Sequence, residues 1–119
     1  MKYMFLIYGE ESNEAQLTAA ERDAMLSEYF AFSKETRAKG VYIDGDELKP
    51  TATATTLRPY KGQLATTDGP YAETKEQLGG YYLIEVPSLD EALKWAAKCP
   101  GSWGGSIEVR PLQENPASA

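Results

Sequence analysis

One stretch of the chain gathers side chains that could do chemistry: Asp68-Gly69-Pro70-Tyr71-Ala72-Glu73-Thr74-Lys75-Glu76-Gln77-Leu78-Gly79-Gly80-Tyr81-Tyr82. Asp68 can act as an acid or a base. Tyr71, Tyr81 and Tyr82 can donate a phenolic hydrogen bond or wall a pocket. Lys75 lies between acids that would keep it charged. Outside the stretch, Arg58 and Arg110 are candidate anion holders, because a guanidinium grips a carboxylate or phosphate with two bonds. Each candidate also has a plain structural role. Asp68 can cap its own turn, the arginines can pair with Glu73, Glu76 or Glu108, and the tyrosines can pack in a core or an interface.

The same stretch is built to hold a shape. Asp-Gly-Pro is turn chemistry: Asp bonds backbone two residues on, Gly accepts positive φ, and Pro fixes φ and donates no N–H. Asp68 is therefore expected at the sharp end of a strand. Gly79-Gly80 lets backbone or ligand approach backbone just before the apolar run Tyr81 to Val86. Functional residues favour loops carried on rigid scaffolds, so this is where a site is expected. The residues do not specify a reaction.

What is missing narrows the chemistry. The 119 residues contain no histidine and one cysteine. That removes the commonest general base, the commonest metal ligand and every His-activated nucleophile. Cys99 follows a helix, where the dipole does not favour a thiolate. No metal constellation appears, and neither a metal nor a cofactor is expected. The net charge of −6 lacks the basic footprint of nucleic-acid binding and disfavours an anionic membrane surface. No window approaches the roughly 20 apolar residues of a membrane span. No charged segment, apolar run and cleavage site open the chain, so no signal peptide is expected. A lone cysteine has no partner for an internal disulfide, and the reducing cytoplasm is the expected location.

The elements that must position the motif follow from periodicity and caps. Lys2 to Tyr8 is apolar on both alternating sets and reads as a central strand covered on both faces. Residues 10 to 17 read as a loop. Thr18 and Glu21 form a capping box for a helix running to about Lys39 and closed by Gly40. Arg22, Met25, Leu26, Tyr29, Phe32, Ser33 and Thr36 lie at helical spacing, and their apolar members should pack on the sheet. Val41 to Asp44 is a short strand. Thr51 to Leu57 and Gln63 to Thr67 form a hairpin turned by Arg58-Pro59-Tyr60-Lys61-Gly62. Regular pairing should bring Arg58 and Asp68 to one region. Gly80 to Val86 is a second central strand. Ser88 and Glu91 open a helix with Leu89, Ala92, Leu93 and Ala96 on one face and Trp95 at its edge. Ser106 to Arg110 is the last strand. One domain over 1–112 and a frayed tail over 113–119 are expected.

The run DGPYAETKEQLGGYYLIE resembles the signature of the DGPF-motif branch of the YCII-related family, with Tyr71 in place of the usual Phe. The resemblance extends to Lys2-Tyr3-Met4, Leu6-Ile7-Tyr8, Gly40, Cys99-Pro100 and Ile107 to Pro111. It implies a ferredoxin-like α+β domain that dimerises sheet against sheet, and a site at the motif. Family members are often found near extracytoplasmic-function sigma factors, which implies a regulatory association. In the wider family a His–Asp pair is the implied dyad. This chain supplies an Asp but no His.

Independently of that resemblance, the order β, α, β, hairpin, β, α, β points to an antiparallel sheet with two helices on one face. Two helices cover one face only. A second copy covering the other gives a homodimer, and the dimeric α+β barrel is the expected architecture. Two functions are open. One is a small-ligand or partner-binding module. The other is an enzyme acting on a small anionic substrate, with Asp68 as acid/base. The ligand-binding residues expected are Arg58, Gly69, Pro70, Tyr71, Glu73, Lys75 and Arg110.

Overall fold

A computed structural model describes residues 1–114. Its elements are β1 (Lys2–Gly9), α1 (Glu11–Glu14), α2 (Ala19–Ala38), β2 (Tyr42–Glu47), a 3-10 turn (Thr51–Thr53), β3 (Thr55–Tyr60) and β4 (Gln63–Asp68). They continue with β5 (Gln77–Glu85), α3 (Leu89–Lys98), α4 (Gly101–Gly104) and β6 (Ser106–Pro111). Four strands pair antiparallel in the order β2-β5-β1-β6, and β3-β4 forms a separate hairpin. This is the expected ferredoxin-like α+β sheet, with the hairpin inserted between its second and third strands. No helix of the described residues is long and apolar enough to cross a membrane. Of the tail expected at 113–119, Gln113 and Glu114 are exposed, and 115–119 lie outside the described residues.

The core lies between the sheet and the two long helices. Tyr3 and Phe5 of β1, Tyr82 and Ile84 of β5, Phe32 of α2, and Ala92, Ala96 and Cys99 around α3 are buried together. Alternation along β1 and β5 turns Met4, Leu6, Tyr81 and Leu83 to the opposite face, where Met4 pairs with Leu83 and Leu6 with Tyr81. These four are half-buried in a single chain.

Helix α2 begins and ends as its sequence dictates. Thr18 Oγ1 accepts from the Glu21 N–H at 3.1 Å, and the Glu21 carboxylate accepts from the Thr18 N–H at 3.0 Å. At the other end Gly40 has φ 73°, its N–H bonds Arg37 O, and Val41 N–H bonds Thr36 O. That double closure is a Schellman motif, which needs the left-handed residue that Gly supplies.

Other expectations are corrected. The 10–17 loop contains the short helix α1. The hairpin turns at Lys61-Gly62 alone, with φ 50° and 79°, because a two-residue type I′ turn suits the twist of the flanking strands. Arg58 to Tyr60 is therefore strand, and Thr51–Thr53 is not. Only half of the second capping box forms: Ser88 accepts from Glu91 N–H, while the Glu91 carboxylate turns to Lys94. The inward stripe of α3 is Ala92, Trp95, Ala96 and then Cys99, leaving Leu89 and Leu93 about half exposed. Trp95 packs edge-on against Phe32, and its large ring wins the buried side.

Candidate functional site

The apolar residues of α2 are scattered around the helix, so it cannot lie flat on the sheet along its whole length. Its only buried residues are Phe32 and Thr36, in the C-terminal half. The turns before Phe32 stand off, with Leu26 exposed and Phe30 75% exposed. Beneath them opens a cleft of about 1370 Å³. Its floor is the end of β1 (Ile7–Gly9) and Gly79-Gly80 of β5; α1, α4 and the end of β2 close its sides. The motif stretch therefore reaches this cleft through its glycines.

Several polar groups converge there. Ser33 and Tyr82 share a hydrogen bond of 2.9 Å that ties α2 to the sheet. Burial pushes the Tyr29 hydroxyl well above the usual phenol range, and burial also raises Tyr82 against the opposing effect of the Ser33 bond. Both phenols thus keep their protons and can donate a hydrogen bond to an occupant. Gly101 makes room for Tyr29: a methyl there would lie 2.9 Å from the Tyr29 hydroxyl and 2.6 Å from Ile7 Cγ2. Glu11 locks the wall. Its carboxylate accepts from Thr51 N–H at 2.8 Å and Thr51 Oγ1 at 2.9 Å, and its own N–H donates to Gln77 Oε1 at 2.9 Å. Glu14 retains its proton to higher pH than an ordinary carboxyl, through burial first and then repulsion from Glu11 and Glu47. Six carboxylates line the cleft (Glu10, Glu11, Glu14, Glu28, Asp46 and Glu47) against Arg22, Lys34, Arg37 and Lys49. The balance favours a neutral or cationic occupant.

The residues singled out in the sequence lie elsewhere. Asp68 ends β4 opposite Thr55 and is exposed. Gly69 follows with φ 112°; its N–H bonds Ala54 O at 2.8 Å, and its carbonyl accepts from Thr56 Oγ1 at 2.8 Å. The Asp68 carboxylate makes no hydrogen bond among the described residues, so it does not cap its own turn. Pro70 is half-buried, and Tyr71 and Glu73 are exposed. Lys75 Nζ stands 3.9 Å from Glu10. Glu76 accepts from Ser106 Oγ at 2.8 Å.

Arg58 and Asp68 are not brought together. The hairpin pairs regularly, but its register sets Arg58 against Ala65 and Asp68 against Thr55, on opposite faces. Arg58 instead donates to Tyr71 O at 2.8 Å, with its guanidinium 4.9 Å from the Tyr71 ring centre. Arg110 pairs with Glu108 on the outer sheet face. Neither arginine lines the cleft, nor does Asp68. Sequence reasoning missed Glu11, Glu14 and Gln77. The i, i+4 pair Tyr29 and Ser33 was visible, but it read as core packing.

Comparison with known proteins gives a family. The YCII-related domain matches residues 1–115. An uncharacterised protein of Rhizobium meliloti (strain 1021) is 40% identical over 114 residues, covering 94% of this chain and 92% of that one. Among solved structures, 5-chloro-2-hydroxyhydroquinone dehydrochlorinase from Burkholderia phenoliruptrix AC1100, in complex with 2,5-dihydroxybenzoquinone, is similar at TM-score 0.50. It shares 13% identity over 97% of this chain and 96% of that one, a likeness of fold. The chain belongs to the YCII-related family.

Proposed function

We propose that this YCII-related protein is a small-ligand-binding module that works as a twofold dimer, with the ligand seated under the N-terminal half of α2. The observation that carries this reading is the cleft itself. It is walled by Tyr29, Tyr82 and Ser33 and floored by Gly79-Gly80 of the motif. Two phenolic donors, a Ser hydroxyl and bare backbone suit a compact, neutral, hydroxylated ring compound. The similar dehydrochlorinase holds a molecule of that size and shape, a dihydroxybenzoquinone. The dimer reading is supported by the outer sheet face, where Met4, Leu6, Tyr81 and Leu83 form a half-buried apolar centre that no other element covers among the described residues. Partner binding in sigma-factor regulation would use the same dimer.

The second reading makes Asp68 the acid/base of an enzyme. It is supported by an uncommitted carboxylate beside the turn of Gly69 and Pro70, with Arg58, Tyr71, Glu73, Lys75 and Arg110 as substrate contacts. For that reading Asp68 must face a cavity that a single chain does not give it.

The test is a thermal-shift screen of neutral phenols and quinones, repeated with Tyr29→Phe, Ser33→Ala and Asp68→Ala. The proposal expects compounds that stabilise the protein, with the gain reduced by the first two changes and unaffected by the third. A ligand at a hundred times its Kd adds about 2.7 kcal/mol. A hit lost only with Asp68→Ala would transfer the site to the motif turn. No hit at all would end the cleft reading.

A further inference from the structure

Among the described residues, the β3–β4 hairpin has no support of its own. Every residue from Leu57 to Asp68 is exposed, and the hydrogen bonds at its base stay within the hairpin and the Gly69–Tyr71 return. A two-stranded hairpin alone in water is marginal at best. This one also carries an aliphatic face. The register places Leu57, Pro59 and Leu64 on one side, with Leu57 58% and Leu64 70% exposed. A face of that kind needs a surface to lie on.

A matching surface exists on the same chain. At the open side of the cleft a recess of about 270 Å³ lies between Leu26 and Phe30 of α2 and Asp46 and Glu47 of β2. Phe30 is among the most exposed large apolar side chains, and β2 is an edge strand of the sheet. The cleft exceeds the ~300–1,000 Å³ typical of a small-ligand pocket, and the residues of this recess are part of its lining. Charge points the same way. The hairpin from Thr55 to Asp68 carries Arg58 and, at its tip, Lys61, against one acid, Asp68 at its base, whereas the recess presents Asp46 and Glu47. In a chain of net charge −6, a basic arm and an acidic recess give two copies a favourable contact.

We propose that the β3–β4 hairpin is an arm that crosses to a second copy of this chain, lays Leu57, Pro59 and Leu64 against Leu26 and Phe30, and closes the open side of the cleft. The ligand site is then complete only in the dimer, because each copy supplies a wall of the other's cleft. The inference rests on the dimer reading above, and extends it by making the arm a part of the site.

The experiment is site-directed crosslinking. Leu64→Cys and Phe30→Cys are made separately, purified, mixed and mildly oxidised. Cys99 is fully buried and stays silent. The expected result is a covalent dimer from the mixture and none from either variant alone. Light scattering on the unmodified protein runs beside it. A dimer that does not crosslink overturns the arm and leaves the dimer standing. A monomer overturns both. A bridge formed within one chain of the Leu64→Cys, Phe30→Cys double variant shows the arm folding on its own copy, and also overturns the proposal.

Discussion

Gly45 supports the ring that holds α2 in place, and replacing it should loosen the cleft. Gly45 lies in β2 directly opposite Tyr82 of β5, and the Tyr82 ring lies over it. A methyl at Gly45 would stand 2.6 Å from Tyr82 Cδ1 and 3.0 Å from Tyr81 O. The ring cannot move freely, because Phe32 packs edge-on 5.0 Å from it and Ser33 bonds its hydroxyl. Forcing a methyl into such a contact costs about 1–3 kcal/mol. Losing the Ser33 bond adds about 0.5–1.5 kcal/mol. The stiffer unfolded chain returns about 0.4–1 kcal/mol. Gly45→Ala should therefore destabilise by about 2 kcal/mol, a fall in Tm on the order of 6–12 °C for a domain of this size. Urea unfolding followed by far-UV and near-UV circular dichroism measures it. Gly104→Ala is the control: no atom lies within 4 Å of a methyl there, and the change should stay within about 0.5 kcal/mol. In a Tyr82→Ala background, Gly45→Ala should cost clearly less, with only the contact to Tyr81 O remaining. An equal cost in both backgrounds would refute the reasoning.

Two further outcomes concern single groups, Cys99 in the core and Glu14 on α1. Burial pushes the Cys99 thiol up to about 11, so only about one molecule in a thousand carries a thiolate at pH 8. Labelling by a thiol reagent at that pH should proceed only as fast as the core opens, and rapid labelling of native protein would contradict it. The raised Glu14 carboxyl gives a pH dependence of defined sign. Its stabilising contribution is complete below the unfolded value of 4.5 and is lost as pH rises through the higher folded value. Glu14→Gln should therefore raise Tm at pH 7 and leave it unchanged near pH 4. A fall in Tm at pH 7 would show that the ionised group is held by a favourable contact instead.

The sequence was most legible where a local rule sufficed. Thr18 with Glu21 and Gly40 with Val41 fix both ends of α2 through bonds that span a few residues, so they could be read directly. Apolar residues on both faces of β1 and β5 marked the centre of the sheet. Positions that depend on register or on competition between side chains were less legible. A two-residue turn at Lys61-Gly62, rather than a five-residue one, extended β3 and set the face on which Arg58 lies. Trp95 took the buried side of α3 because Phe32 of another helix meets its ring there. Phe32 is distant from Trp95 in sequence, and the stretch from Arg58 to Gly62 offered more than one turn, so neither outcome could be read from spacing alone.

The chain by itself determined a ferredoxin-like α+β domain, the capped helices and the positive φ at Gly69, because caps, alternation and glycine act over a few positions. Tertiary structure alone decided that α2 lifts off the sheet, that Glu11, Gln77 and Thr51 lock one wall, and that Arg58 and Asp68 part company across the hairpin. Those depend on how distant segments share limited space, and a one-residue change in register sends a side chain to the opposite face.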